Sequence, residues 1–308
     1  MADATKHFER ITIIGAGLIG SSIARAVVRA DAETTLVLAD GHEKTLAEAE
    51  TLKLADAYYV DVKRAVQDAD LIIMAVPVGA MAGVAEKMAP SLKAGAIVSD
   101  VGSVKESVVN TVSPFIPSGV HLIPGHPVAG TEQSGPAAGF ASLFDDRWCI
   151  LTPPKGVDEY ALKTLEYFWQ ALGSRVEIMD AAHHDLVLAI TSHVPHLIAY
   201  NIVGTANDME EVTQSEVIKY SAGGFRDFTR IAASDPTMWR DVFLNNKDAV
   251  LEMLGRFSED LTALQRAIRW GDGDTLFNLF TRTRDIRRRI IDAGQDDPVA
   301  DFGRTHQD

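Results

Sequence analysis

The short, mostly apolar run Ile11-Thr12-Ile13-Ile14 delivers the chain directly into Gly15-Ala16-Gly17-Leu18-Ile19-Gly20. Four such residues ended by glycine read as a buried strand, and Leu18 to Arg29 reads as a helix. In a G-x-G-x-x-G turn between strand and helix, each glycine has a separate task. Gly15 permits the tight turn, Gly17 lets a pyrophosphate approach the backbone, and Gly20 allows close helix–strand packing. Ala16, Leu18 and Ile19 complete the turn and open the helix, whose free N–H groups and dipole favour phosphate. Residues 34–39 read as a second strand, and Asp40 closes it twenty positions beyond Gly20. An acid there accepts hydrogen bonds from the adenosine ribose and repels a 2′-phosphate. Lys44 is the one nearby cation, so the pattern favours NAD over NADP. A glycine-rich turn that bound nothing would not need strand, glycines, helix, strand and acid in this order.

The pattern continues. Glu43 to Leu54 reads as a helix, residues 71–76 as a third strand stopped by Pro77, and residues 97–101 as a fourth. Strands alternating with helices imply a parallel sheet covered on both faces. Val76 and Pro77 then fall on the cofactor side of that sheet. Residues 149–152 and 174–178 read as later strands flanking a helix over 158–172. Beyond Met179 the strand-like runs stop. Residues 181–292 carry helical patterning, broken at Gly223-Gly224 and Asp235-Pro236. A chain of 308 residues accommodates about two domains. The expected layout is a dinucleotide-binding Rossmann-like α/β domain over 1–179, an all-α domain over 180–293 and a polar tail over 294–308.

The formal net charge is −14, a field that repels nucleic acid and anionic lipid. Any site for an anionic substrate must therefore be locally basic or rich in backbone N–H groups. The basic stretch from Thr281 to Arg289 reads as a solvated helix face. Cys149 is alone, so no intrachain disulfide forms. Met1 to Arg10 lacks the apolar run of a signal peptide, and no uninterrupted apolar stretch reaches the roughly 18–20 residues of a membrane span. A cytoplasmic protein without membrane or nucleic-acid partners is expected.

Four segments hold the candidate chemistry. Gly125-His126-Pro127-Val128-Ala129-Gly130-Thr131-Glu132-Gln133-Ser134-Gly135-Pro136 places one histidine in what reads as a small-residue loop. An imidazole there can take a proton at neutral pH while hydride moves to a nicotinamide. The others are Asp100 to Lys105, Thr191 to Leu197, and Gly223 to Arg240. His193 and His196 are three apart and share a helix face, with Pro195 between them interrupting the ladder. Two histidines without a third ligand at matching spacing do not make a metal site, and no metal is expected. His183-His184 reads as linker or helix start, with no catalytic role.

Together with the nucleotide fingerprint, these segments resemble the prephenate/arogenate (cyclohexadienyl) dehydrogenases of tyrosine biosynthesis, over about residues 10 to 290. That resemblance implies NAD-dependent oxidative decarboxylation of prephenate to 4-hydroxyphenylpyruvate, of arogenate to tyrosine, or of both. It implies that His126 accepts the C4-hydroxyl proton, with Ser103 beside the same hydroxyl. Arg230 would bind a substrate carboxylate, and His196 would contact substrate. Thr131 and Glu132 would line the pocket, Glu132 gating it by pairing with a basic group. Asp227 would orient Arg230 or a pocket histidine, and Trp239 would reach a dimer partner's site. The helical domain would build a homodimer. A chorismate mutase module before Gly15 and a C-terminal ACT-type domain, often fused in this family, are not expected.

Local alternatives remain open for several residues. Ser103 also suits the N-cap of a helix beginning at Val104. Arg230 also suits an ion pair with Asp227 or Asp235, and Trp239 ordinary packing. Arg226 has no assigned role, and His193 is either structural or near the nicotinamide. For the whole chain, a β-hydroxyacid or 6-phosphogluconate-type dehydrogenase shares the domain order but needs a lysine base, for which the helical half offers Lys219 and Lys247. A non-catalytic NAD-binding sensor would keep the fingerprint alone.

Overall fold

The computed structural model of the chain describes residues 8–30, 33–209 and 222–292. Six parallel strands form the central sheet: β1 (Arg10–Ile14), β2 (Thr35–Ala39), β3 (Ala57–Tyr59), β4 (Leu71–Met74), β5 (Ile97–Asp100) and β6 (His121–Leu122), in the order β3-β2-β1-β4-β5-β6. Alternation along the strands sorts residues between two cores. Ile11, Ile13, Leu36, Leu38, Leu71 and Ile73 join one apolar cluster. Ile14, Val37, Ala39, Ile72 and Met74 join the other. Successive side chains of a strand point to opposite faces, so a sheet covered on both sides buries both faces and is apolar at most positions, with Thr12 and Ser99 among the buried exceptions.

The covering helices include α1 (Leu18–Ala30), α2 (Glu43–Thr51), α3 (Val62–Ala65), α4 (Val78–Met88) and α5 (Glu106–Val112). Strand order reverses direction between β1 and β4, where an open α/β sheet presents its ligand crevice at the carboxyl edge. A second sheet holds β7 (Gly125–Pro127), β8 (Trp148–Leu151) and β9 (Arg175–Ile178), with α6 (Glu159–Ala171) between β8 and β9. β7 runs antiparallel to β8, and β9 parallel to it.

From Ala181 the described chain is helical: α7 (Ala181–Leu188), a wide π-helical turn over Ala189–His193, α8 (Val194–Asp208), α9 (Gly223–Thr229), a 3₁₀ turn over Arg230–Ala233, α10 (Pro236–Asn245), α11 (Lys247–Trp270) and α12 (Gly273–Asp292). The π turn has a local cause. Pro195 has no N–H for the carbonyl one turn back and its ring crowds that carbonyl, so the ladder opens ahead of it. Residues to Leu251 form one compact unit and those from Glu252 a second. The run Ala181–Asp208 is apolar and long enough to cross a bilayer. However, His184, Asp185 and His193 on it are buried in protein contacts. In the second unit Ile268, Trp270, Phe277 and Phe280 stand exposed on the single chain. The expected polar tail over 294–308 and Lys219 lie outside the described residues.

Two local expectations are corrected. The strand read over 71–76 is β4 and ends at Met74, and Pro77 is the cap residue of α4 rather than a strand stop. The small-residue segment around His126 is a strand at its start: Gly125, His126 and Pro127 pair with Leu151, Ile150 and Cys149. Three residues carry no readable period, and their partner lies some two dozen positions downstream.

Candidate active site

Gly15 follows β1 at the strand reversal, its N–H bonded to Ala39 O at 2.7 Å. Its φ is +105°, and a Cβ there would meet Ala75 O at 2.3 Å. A Cβ on Gly20 would meet Gly15 O at 1.9 Å. Both positions therefore require glycine. Gly17 differs: a Cβ would meet no atom within 4 Å, so its bare backbone faces outward at the amino end of α1. Asp40 Oδ2 accepts from Ala16 N–H at 2.9 Å, and Oδ1 from His42 N–H at 2.8 Å. The acid is thus held against the glycine turn. Val76 packs its Cγ1 3.2 Å from the Cβ position of Gly15, and Pro77 starts the adjoining helix. An outward glycine at a helix start, an acid ending β2 and a wall from β4 fit a dinucleotide.

His126 lies on β7 of the second sheet, joined to the carboxyl end of β5 in the first. Asp100, the last residue of β5, is fully buried, and its Oδ1 accepts from Gly125 N–H at 3.3 Å. Its Oδ2 accepts from Gly102 N–H at 2.8 Å and is paired with Lys105 Nζ. Lys105, also fully buried, donates to Gly125 O at 2.7 Å. Burial pushes Asp100 up and Lys105 down, and each partner opposes the other's shift. The pair ties the end of β5 to the first residue of β7 and so fixes where His126 sits.

The His126 ring is 7% exposed. Its Nδ1 lies 2.8 Å from His184 Nε2, the rings edge to face at 5.0 Å. His184 Nδ1 lies 2.8 Å from Asp185 Oδ1. Asp185 also accepts Lys105 N–H at 2.8 Å on Oδ1 and Glu106 N–H at 2.9 Å on Oδ2. Its carboxylate, from α7, therefore caps α5. This corrects one expectation: α5 begins at Glu106, and Ser103 does not cap it. Ser103 sits half-buried in the turn leaving β5, free of that task. Burial, then His184, Lys105 and His193, hold His126 well below an ordinary histidine. Burial also lowers His184, against Asp185. Both rings are neutral bases at neutral pH.

A second aromatic group lines the helical side. His196 stacks on Trp239, centroids 3.7 Å apart, and its Nδ1–H donates to Ser192 O at 2.9 Å. His193 meets the same indole edge to face at 6.1 Å. Asn246 Nδ2 donates to Asp185 O at 2.8 Å and lies 3.1 Å from His193 Nδ1. Burial brings His193 down to about 4, against the pull of Asp185. Its Nε2 faces the Ser103 backbone without a well-formed hydrogen bond. Trp239 is buried within its own chain, its Nε1 without a partner among the described residues. Arg230 is close enough for its charge to lower His196, after burial.

Arg230 Nη1 donates to Glu132 Oε2 at 3.0 Å. The ion pair expected with Asp227 or Asp235 is thus made with Glu132, from a loop 98 positions earlier. Thr131 is exposed, its Oγ1 accepting from Gln133 N–H at 3.2 Å. Asp227 lies on α9 beside Gly223. Lys247 is exposed and faces Asp248 at 3.9 Å, so it is not a desolvated base. His184 and Asp185 are what sequence reading missed. His183-His184 does open a helix, as expected, but the second ring of the pair reaches His126 and the next residue anchors it. The available signal was the capping acid Asp180, which fixes the helix start and with it the buried face.

Two family models match the chain: prephenate dehydrogenase, nucleotide-binding domain, over residues 23–178, and prephenate dehydrogenase, dimerization domain, over residues 180–282. The chain is 44% identical to a cyclohexadienyl dehydrogenase of Zymomonas mobilis over 280 residues, 91% of this chain and 95% of that protein. It is 32% identical to a prephenate dehydrogenase of Bacillus subtilis over 91% of this chain and 75% of that protein. A crystal structure of prephenate dehydrogenase from A. aeolicus, in complex with hydroxyphenyl propionate and NAD+, superposes with a TM-score of 0.86 at 31% identity. It covers 93% of this chain and 99% of that one.

Proposed function

The chain belongs to the prephenate/arogenate (cyclohexadienyl) dehydrogenase family, and from that premise we propose that it oxidatively decarboxylates prephenate, arogenate or both with NAD. One observation carries the reading. His126 is a neutral, buried imidazole on β7, tied through Asp100 and Lys105 to the carboxyl end of the sheet that bears the glycine turn. Its Nδ1 is engaged by His184, and Nε2 makes no hydrogen bond to the described residues.

NAD would lie along Gly15, Ala16, Gly17, Leu18, Ile19 and Gly20, its ribose on Asp40 and its ring toward Val76 and Pro77. Bound there, it supplies the acceptor for the hydride from substrate C4. The protein's own groups do the rest. His126 Nε2 takes the C4-hydroxyl proton as the carbonyl forms. Electrons of the C1–carboxylate bond then flow into the ring, CO2 leaves, and Nε2 returns the proton to the same oxygen as it becomes a phenol. Such a base is worth about 10²–10⁴-fold. Ser103, on the turn from β5, would steady the hydroxyl. The Arg230 fork suits a carboxylate, with Glu132 holding it between turnovers and Asp227 and Thr131 nearby. His196 carries its hydrogen on Nδ1, so Nε2 is an acceptor that suits the side-chain ammonium of arogenate, whereas the keto acid side chain of prephenate offers it no donor; Trp239 backs the ring.

Residues 1–179 would hold the nucleotide and 180–293 the substrate and a second copy. The exposed Trp270, Phe277 and Phe280 suit a surface covered in a homodimer. A cytoplasmic enzyme is consistent with one buried thiol, Cys149. The test is NADH formation by the purified chain with prephenate and with arogenate, under NAD and NADP. NADH with one CO2 per turnover is expected from at least one substrate. Silence with both substrates overturns the reaction, and equal use of NADP overturns the role given to Asp40.

A further inference from the structure

We infer that Asp185, acting through His184, locks His126 in the tautomer that carries hydrogen on Nδ1 and leaves Nε2 as the base. The inference deepens the proposed reaction and rests on it only for its kinetic consequence. Both Asp185 oxygens accept backbone N–H groups, from Lys105 and Glu106. Toward His184 Nδ1, 2.8 Å away, this side chain is an acceptor, so Nδ1 carries the hydrogen. A neutral imidazole has one N–H. His184 Nε2 is therefore a lone pair, and it faces His126 Nδ1 at 2.8 Å. Two lone pairs at that distance repel, so His126 Nδ1 must donate. The remaining nitrogen, Nε2, is left unprotonated where substrate can reach it.

The charged groups around the ring agree with this order. Lys105 before α5 and His193 on the π turn both disfavour a cation at His126, as His184 does, which keeps the resting ring neutral. When Nε2 takes the hydroxyl proton, the Nδ1–H bond to His184 becomes charge-assisted and strengthens. His184 and Asp185 are positioning residues. They touch neither substrate nor cofactor, and no proton leaves His126 through them. The same logic governs a histidine base oriented by a buried acid elsewhere, here with a second imidazole between acid and base.

The tautomer can be read directly in the full-length enzyme carrying ring-¹⁵N histidine at pH 7.5, with His126→Asn and His184→Gln spectra assigning the signals. We expect His126 and His184 each to show a protonated Nδ1 and an unprotonated Nε2; a protonated Nε2 on His126 overturns the inference. This measurement needs no turnover, so it stands or falls apart from the reaction proposed above. Kinetics provide the second arm. His184→Met removes the acceptor and should lower kcat about 10- to 150-fold, the size of one hydrogen bond to a charged group. KM for substrate and affinity for NAD should change little. His184→Gln, which can again accept from Nδ1, should recover part of the loss. A His184→Met enzyme within threefold of the parent kcat overturns the inference. So does a His184→Gln enzyme no better than His184→Met. If the Met variant does not fold, the wild-type spectrum decides alone.

Discussion

Around His126 the ionisable groups are sealed from water: His184, His193, Lys105 and Asp100 are all 0% exposed. Arg230, on the helical side and proposed above to bind a substrate carboxylate, keeps 61% of its side chain in solvent and Glu132 keeps 33%. Both groups of residues are charged or chargeable, yet the consequences differ. In the sealed region a charge cannot be screened, so each proton must have one place, and the network fixes protonation state. At the wet rim a pair like Arg230–Glu132 contributes about 0–1 kcal/mol. It can be opened and remade on every turnover. In the reaction proposed here, chemistry sits where charge is expensive, and exchange of substrate where it is cheap.

The largest expected effect strikes the sealed side. His126→Asn keeps a hydrogen-bonding group but removes the base, and kcat should fall by about 10²–10⁴-fold. NAD binding, measured by fluorescence titration, should stay near the parent value because the glycine turn is untouched. Turnover within a few-fold of the parent would put the base elsewhere and erase the contrast between the two regions.

Acid sharpens the same contrast. His126, His184 and His193 all have folded-state values below 6.5, His193 reaching about 4. The unfolded chain binds protons from pH 6.5 downward while these folded rings do not. Their contribution to stability is therefore complete above pH 6.5 and is lost as pH falls toward 4. His193 alone corresponds to on the order of 3 kcal/mol. Thermal melts should show Tm falling between pH 7 and 4.5. His193→Phe should flatten that fall, whereas Arg230→Gln should leave its slope unchanged. A slope that His193→Phe leaves intact would assign the acid sensitivity to other groups.

The two regions also differ in how far the amino-acid order discloses them. Gly15, Gly17, Gly20 and Asp40 lie within one βαβ unit, so their expected places follow from spacing: Gly15 and Gly20 sit where no Cβ fits, and Asp40 is held against the turn. Most strands with four or more apolar residues are equally legible. The sealed network is not. His126 touches a ring 58 positions away, and α5 is capped by an acid 79 and 80 positions away. No local period encodes such distances. β7 is too short to alternate, and Asp185 looks like any helix acid until its packing is known. Likewise Arg230 had nearer acids in sequence, Asp227 and Asp235, but α9 and the 3₁₀ turn aim it at Glu132. The resemblance to known dehydrogenases implied His126 and Arg230; for His184 the one local signal was Asp180, which fixes the start of α7 but not what its buried face meets.

The smallest effects belong to the rim, and there two substitutions separate substrate binding from the resting pair. Arg230→Gln removes a charged fork from a carboxylate and should cost about 1.5–3 kcal/mol, read as a KM for substrate raised roughly 10- to 150-fold with a smaller change in kcat. Glu132→Gln opens the same ion pair while leaving the fork in place. The exposed pair is weak, and Glu132 competes with the incoming carboxylate for Arg230. KM should therefore stay within about fivefold and fall rather than rise, with the difference shrinking as salt is added. Steady-state kinetics of both variants at low and high ionic strength checks this. If Glu132→Gln raises KM as far as Arg230→Gln does, Glu132 holds substrate itself. The rim would then share the fixed, single-state character of the interior.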